Sequence, residues 1–271
     1  MIRNKQNDIR AKFMRKAREK VQEALKSRDM VLSGVARSID ELNKTINQLT
    51  ERFENWYQVY FPELKLDDRR KYVEVAVTIE RENIDLEKIK KIVGPKKAEE
   101  ILTLNQKTLG AKLNKEDVDK IKKLGQSILG LYELLDEFIK YEEKVATEVA
   151  PNISAVAGPD IAAKLIAHTG SLERLAKMPA STVQVLGAEK ALFKHLRNKR
   201  IAPPKHGIIF QHPSISNSPK NLRGKIARAL ANKIAIAAKA DAFTKNYIAD
   251  KLKEEFDSRT EEVKSNKKKN D

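Results

Sequence analysis

The chain contains no cysteine, which excludes disulfides, thiol catalysis and the usual structural zinc sites and fits a reducing or a hot compartment. Aromatic residues make up 6% and there are only 10 glycines in 271 residues, too few of both for a turn-rich β-sandwich or barrel. No uninterrupted apolar run approaches the roughly 20 residues needed to span a bilayer, and the N-terminus lacks an apolar signal core, so neither a membrane role nor secretion is expected. The histidines, His168, His195, His206 and His212, have no suitably spaced carboxylate around them, and no metal site is expected. GxGxxG, GxSxG and HExxH are all missing. Gly125 to Gly130 has the glycine spacing of a Walker loop, but Leu131 and Tyr132 stand where Lys and Ser or Thr are required, so this stretch reads as helical core. With no nucleophile beside a positioned base, the sequence offers no reaction of its own.

What is abundant is positive charge. The formal net charge is +16 and the pI about 9.7, and the excess is localised. Residues 187–245 carry 13 Lys and Arg against 2 acids, and residues 1–28 carry 10 against 3, whereas residues 251–271 are nearly balanced at 7 against 6. In the N-terminal segment Ile9, Phe13, Ala17, Val21 and Leu25 form a narrow apolar stripe on a cationic helix. Two readings stand for it: a helix leading into the next, or direct contact with RNA or a protein partner.

The longest pattern is a pair of heptad seams. Val35, Ile39, Leu42, Ile46, Leu49, Phe53, Trp56 and Tyr60 are separated alternately by four and three. Ile121, Leu124, Ile128, Leu131, Leu135 and Phe138 repeat the pattern, which continues less regularly to Val145 and Val149. Two long helices of matched length are expected to pack antiparallel as a coiled-coil arm over residues 29–150. Pro62 stops the first, and residues 63–117 supply an insert of shorter helices at the tip, interrupted at Gly94-Pro95, with Asn114 capping the returning helix. Apolar positions also flank the seam, at Val31, Leu32, Tyr57, Val59, Tyr132, Leu134 and Ile139; they serve either self-association or packing against the insert. After Pro151 Ala, Gly, Ser and Pro rise and the heptad ends, which places a domain boundary near residue 150. A compact helical domain follows to residue 250. Ser218-Pro219 reads as a helix start, hydroxyl at the N-cap and proline at the first position. Residues 251–271, nearly without apolar residues after Phe256, are expected to be a disordered tail.

Within the second domain the stretch GAEKALFKHLRNKRIAPPKHGIIFQHP, residues 187–213, constrains function most. It sets Leu192, Phe193 and Leu196 on one helical side and Lys190, Lys194 and Arg197 along another. Pro203 and Pro204 then stiffen a loop that carries Lys205 and His206 and closes at Gly207, while Ile208 to Phe210 anchor it. A cationic helix, a rigid loop and a second cationic helix with Arg223, Lys225, Arg228, Lys233 and Lys239 suit phosphate-backbone binding, because each ion pair releases condensed counterions. RNA is favoured over DNA. Few aromatics look exposed, so stacking is expected only from the imidazoles of His195 or His206, with readout by shape and backbone. The competing reading is a coiled-coil interaction protein whose basic face meets nucleic acid without specificity.

The segments GAEKALFKHL, PPKHGIIFQHP and LRGKIARALANKIAIAAKADAF resemble the Nop domain of box C/D small ribonucleoprotein scaffold proteins and, more distantly, of a spliceosomal pre-mRNA processing factor. Upstream, RDMVLSGVARSIDELNKTINQLTERFENWYQVYFPEL resembles that family's arm, TLGAKLNKEDV the insert leading to the returning helix, and GPDIAAKLIAHTGSLERLAKMPASTVQVL the entry to the Nop domain. The match covers about residues 28–245. It implies an all-α scaffold that homodimerises through the arm and clamps a kink-turn of a box C/D guide RNA together with a ribosomal-type kink-turn binding protein. It implies no cofactor of its own, since S-adenosylmethionine belongs to a fibrillarin-type methyltransferase partner that performs 2′-O-methylation. The RNA-facing positions so implied are Gly187, Ala188, Glu189 and Lys190, then Lys194, His195, Arg197, Lys199, Lys205, His206, Arg223 and Arg228; Glu189 departs from the basic logic and is expected to order a neighbouring cation or face the protein partner. The arm contacts are Val35, Ile39, Leu42, Ile46, Leu49, Phe53, Ile121, Ile128, Leu131, Leu135 and Phe138. Family members carry an N-terminal domain that docks the methyltransferase; only about 28 residues precede the match here, so that surface is expected to be missing or minimal. The lack of long lysine-rich tails resembles archaeal members and points to the cytoplasm.

Overall fold

The computed structural model describes residues 10, 12–18, 28–82 and 84–268, and among these every regular element is a helix, as expected. The chain divides into two compact units, Met1–Arg37 with Lys140–Asp271 and Ser38–Ile139. The division falls inside helices, not near residue 150. Pro151 only begins a new helix, at the position where its missing N–H is of no consequence. Most of the expected basic helix over residues 1–28 lies outside the described residues; residues 12–18 are helical and exposed.

The unit Ser38–Ile139 holds most of α1 (Arg28–Tyr57), then α2 (Arg69–Thr78), α3 (Leu86–Val93), α4 (Pro95–Gln106) and most of α5 (Lys115–Val149). Side chains cap these helices where the sequence offers them. Asp68 accepts from the N–H groups of Arg70 and Lys71, Asp85 from Lys88, and Asn114 from Asp117 at 2.8 Å, the last as expected. Gly94, at φ +84°, ends α3 and admits Pro95 as the first residue of α4. The core gathers Ile46, Phe53, Tyr57, Phe61, Tyr72, Ile79, Ile89, Ile101, Ile121 and Ile128, each buried apolar side chain contributing about 1.5–3 kcal/mol relative to exposure. Gly125 lies where a Cβ would stand 2.5 Å from a Val77 methyl and 2.9 Å from the Phe53 ring. It is a close-packing glycine, and the resemblance to a Walker loop is accidental.

The seam is buried unevenly. Ile39, Ile46, Phe53 and Tyr60, seven apart, are buried, as are Ile121, Ile128 and Leu135, whereas Val35, Leu42, Leu49, Leu124, Leu131 and Phe138 are only half-buried. Trp56, expected in the seam, is 44% exposed: the helix ends at Tyr57, and the buried stripe shifts onto Thr50 and Tyr57. Of the flanking positions Leu32 and Tyr57 are core, and Val31, Val59, Leu134 and Ile139 face outward.

The other unit contains α6 (Pro151–Ala157), α7 (Pro159–Thr169), α8 (Leu172–Ala176), α9 (Ala180–Val185), α10 (Glu189–Arg197), α11 (Pro213–Ser216), α12 (Lys220–Lys239) and α13 (Ala249–Lys268). Alanine-rich α12 is the hub. Buried Ala227, Ala231, Ala237 and Ala238 let α6, α8, α9 and α13 approach closely, with Ile226, Leu230 and Ile234 filling the space between. Its start is corrected by one residue: α12 begins at Lys220, and the Ser218 hydroxyl donates to the Ser214 carbonyl at 2.7 Å instead of capping. The expected disordered tail is also corrected, because α13 runs to Lys268. Leu252, Phe256, Thr260 and Val263 recur every three or four residues and are buried, and with a threonine among them the stripe reads as polar in sequence.

A π-helical turn, Ala240–Thr244, follows α12 and inserts a buried carboxylate into the start of α6. Asp241, 1% exposed, accepts from the backbone N–H groups of Asn152 at 3.0 Å and Ile153 at 2.9 Å, and from the Asn152 amide at 2.7 Å. The two backbone N–H groups are orphan donors of the α6 N-terminus, whose own N-cap, Ala150, has no side-chain acceptor. Asn152 in turn accepts from Ile248 N–H at 2.6 Å and donates to the Asn246 carbonyl at 2.9 Å.

Candidate nucleic-acid interface

Two glycines and a staple of hydrogen bonds position the loop Pro203–Gly207. Gly207 donates to the Gln184 carbonyl at 3.0 Å, Ile208 donates to Leu186 at 2.8 Å, and the Gln184 amide donates back to the Lys205 carbonyl at 2.7 Å. A Cβ on Gly207 would stand 1.9 Å from the Leu186 oxygen, so only glycine permits this approach. Gly187 sits at φ +86°, where a Cβ would meet Ile208 at 2.7 Å. Ile209, fully buried, ties the following 3₁₀ turn Ile208–Gln211 to the core, as the anchor reading expects.

The loop thus stands over α12 and encloses an open groove of about 370 Å³, lined by Pro203, Pro204 and Lys205 on one side and Asn221, Lys225 and Arg228 on the other. Lys205, Lys225 and Arg228 are exposed. Three exposed cations thus surround one groove in a protein of net charge +16, a charge arrangement of the kind that suits phosphate oxygens. Lys225 belongs to this set although the family pattern does not single it out; its spacing of three from Arg228 on one helix is the signal for it.

Arg223 behaves differently. It is half-buried, donates from Nε to the Ser218 carbonyl at 2.7 Å and from a terminal nitrogen to the Ser216 carbonyl at 3.0 Å, and lies 5.3 Å from the Phe210 ring centroid. His206 stacks on that same ring at 4.4 Å and 16°. His206, Phe210 and Arg223 therefore brace the loop from behind. Burial, and then the charges of Arg223 and Lys205, hold the His206 imidazole below its usual value.

Helix α10 buries none of its residues. Lys190, Lys194 and Arg197 are exposed, and Lys199 lies in the exposed turn that follows. His195 is half-buried, its Nδ1 donating to the Ile201 carbonyl at 2.5 Å to close that turn. At the helix start Glu189 accepts from the Gly187 N–H at 2.7 Å and meets His168 Nε2 at 2.8 Å; Gly187 is exposed and Ala188 half-buried. Burial pushes the Glu189 carboxyl up, but the donors at Gly187, its own N–H and His168 outweigh it and leave the group below the usual carboxylate range. The departure of Glu189 from the basic pattern thus has a local cause, the ordering of the helix entry. The apolar side of α10 faces outward, with Phe193 57%, Leu196 53% and Ile201 43% exposed. Phe243 and Tyr247 are exposed as well, so the expectation that only imidazoles are available for stacking is corrected. Periodicity does not say which apolar face a short helix leaves bare.

Comparisons with known proteins agree on a family. The family model described as Nop, snoRNA binding domain, fibrillarin, matches residues 38–262. A NOP5 family protein of Methanocaldococcus jannaschii is 44% identical over 268 residues, covering 96% of this chain and 64% of that protein. Nucleolar protein 56 of Homo sapiens is 35% identical over 241 residues, covering 85% of this chain and 40% of that protein. This chain therefore spans less than two thirds of the length of these relatives. A chain in the solved crystal structure of a fibrillarin/Nop5p complex superposes with a TM-score of 0.55 at 28% identity, covering 93% of this chain and 78% of the other.

Proposed function

Because this chain belongs to the Nop family, we propose that it is a non-enzymatic scaffold of a box C/D guide ribonucleoprotein, holding a kink-turn RNA and organising a fibrillarin-type methyltransferase. The observation that carries this reading is the groove between the stapled Pro203–Gly207 loop and α12, with Lys205, Lys225 and Arg228 at its rim. Exposed Lys190, Lys194, Arg197 and Lys199 extend the phosphate-binding set. The bare apolar side of α10 suits a ribosomal-type kink-turn binding protein, so that RNA and protein are held together by one composite surface. S-adenosylmethionine is carried by the methyltransferase, and guided 2′-O-methylation takes place there. The half-buried seam positions Leu42, Leu49, Leu131 and Phe138 support a homodimer through the arm, since a second copy would complete their burial. The setting proposed is cytoplasmic and reducing, in keeping with the absence of cysteine.

The test is fluorescence anisotropy with a labelled kink-turn RNA, with and without the kink-turn protein. The expected result is weak binding alone, a gain of at least tenfold with the protein, and loss of that gain in Lys205→Ala/Arg228→Ala. Equal affinity for any duplex, indifferent to the protein, sinks this reading and leaves the non-specific basic surface. For the arm, sedimentation of Leu49→Glu/Leu131→Glu is expected to give a monomer where the unsubstituted chain gives a dimer.

A further inference from the structure

The stretch from Phe243 to Tyr247, on the π-turn and the link to α13, is exposed at every residue. Phe243 is 55% and Tyr247 59% exposed, in a chain where aromatics are scarce, and the two lie only four residues apart. Exposure alone is common. Uncommon here is the effort spent on holding the stretch still. Lys245 is the sole residue other than glycine with positive φ, +58°, among the described residues, and such strain persists only where the surroundings over-determine it. They do so in this case. The Lys245 N–H donates to the Ala240 carbonyl at 2.7 Å and its ammonium to the Asp241 carbonyl at 2.5 Å. Asn152 clasps the link on both sides, through the Asn246 carbonyl and the Ile248 N–H, and the buried Asp241 carboxylate fixes Asn152 itself. The Tyr247 hydroxyl meets Asp250 at 3.4 Å, which restricts its ring.

The composition between and beside the rings decides what they are for. Thr244, Lys245 and Asn246 separate them, and the exposed Lys239 precedes them on the last turn of α12. A groove for an apolar helix would continue with aliphatic residues three or four apart, whereas the exposed aliphatic on α12 that precedes the rings, Ile236, lies seven residues before Phe243; two rings separated by a threonine, a cation and an amide instead suit π-faces joined by a phosphate backbone. We infer that Phe243 and Tyr247 form a stacking platform for unpaired RNA, separate from the groove at Lys205, with Lys239 and Lys245 supplying charge to the connecting phosphates. This rests on the reading of the chain as an RNA-binding scaffold only in the class of ligand, since no residue of the platform lines the groove.

The experiment uses the full chain and a 5′-fluorescein 12-mer of oligouridine in anisotropy titrations, with an RNA duplex of equal length as competitor. The oligouridine is expected to bind in preference to the duplex, and Phe243→Ala/Tyr247→Ala to weaken it roughly 10- to 100-fold, as loss of base stacking does. Phe243→Tyr/Tyr247→Phe is expected to restore binding to within about twofold. Lys205→Ala/Arg228→Ala is expected to remove the gain from the kink-turn protein while changing oligouridine affinity at most a few-fold, so the two readings fail separately. Unchanged oligouridine affinity in the double alanine variant overturns the platform. If that variant instead alters self-association or capture of a protein partner with RNA affinity intact, the rings are a protein contact and the inference is equally overturned. Should its melting temperature fall, 4-thiouridine cross-linking of the unsubstituted chain decides: adducts mapping to residues 243–247 support the platform, and adducts only elsewhere refute it.

Discussion

Replacing Asp241 by Asn changes one atom and tests the polar cluster that ties the π-turn to α6. The carboxylate accepts three hydrogen bonds, from the N–H groups of Asn152 and Ile153 and the Asn152 amide, within 2.7–3.0 Å and at 1% exposure. An amide in the same place keeps one oxygen and turns two N–H donors toward donors. At least one bond to a charged acceptor is lost, about 1.5–3 kcal/mol, and at least one buried N–H is left unpaired at a further 1–3 kcal/mol. The expected loss is therefore about 2.5–6 kcal/mol, a large part of the roughly 5–15 kcal/mol that holds a domain. Because the chain has two units, global unfolding need not be two-state, and amide hydrogen exchange is the better assay. The amides of Asn152, Ile153 and Ile248 are expected to exchange about 10²- to 10⁴-fold faster in Asp241→Asn, with the amides of Ile121 and Ile128 in the other unit unchanged. An Asn152→Ala partner allows a double-mutant cycle, in which strong non-additivity is expected since both residues serve one network. Protection of the α6 amides within twofold of the unsubstituted chain would refute the argument that Asp241 caps this helix from a distance.

Two further predictions concern the loop and its pH response. Gly207→Ala places a methyl 1.9 Å from the Leu186 oxygen, so the staple must open; a melting temperature several degrees lower and loss of partner-assisted kink-turn binding are expected in calorimetry and anisotropy. His206 and His212 both have pKa values lowered from 6.5, chiefly by burial, and His212 Nδ1 accepts the N–H of Ser214 at the start of α11. Their folded forms bind fewer protons than the unfolded chain, so stability rises with pH through this range. It is expected to be fully present above about pH 6.5 and to fall progressively below it as the unfolded imidazoles take up protons. Melting curves from pH 7.5 to 5 check this, and His212→Asn, which keeps a side-chain acceptor, is expected to flatten part of the slope.

Local chemistry explains what was legible. Asn114 three residues before Asp117, proline at the first turn of four helices and isoleucines seven apart act within one or two turns, and the helices formed where those signals lie. The outcomes that differed depend on partners remote in sequence. Residues 251–265 look like a solvated tail until Leu252, Phe256 and Val263 find a core to enter. Ser218 has the right chemistry for a cap, yet its hydroxyl goes to Ser214 and its carbonyl to Arg223. Arg223 and Arg228 look alike on one helix, but the first turns toward Phe210 and the second toward the groove. Of the implied RNA-facing residues, Lys205 and Arg228 come together on that groove, while Glu189 and His195 are engaged in ordering the ends of α10.

By itself the sequence determined the helical class, the two apolar repeats, the concentration of positive charge after residue 187 and the stiffness of the Pro203–Gly207 loop, because each follows from residue type and near-neighbour spacing. Only the tertiary structure decided which cations share a groove, which aromatics remain exposed and which carboxylate is buried. Those outcomes depend on groups remote in sequence meeting at hydrogen-bonding distance, as Asn152 and Asp241 do across 89 residues, and no local periodicity encodes such a meeting.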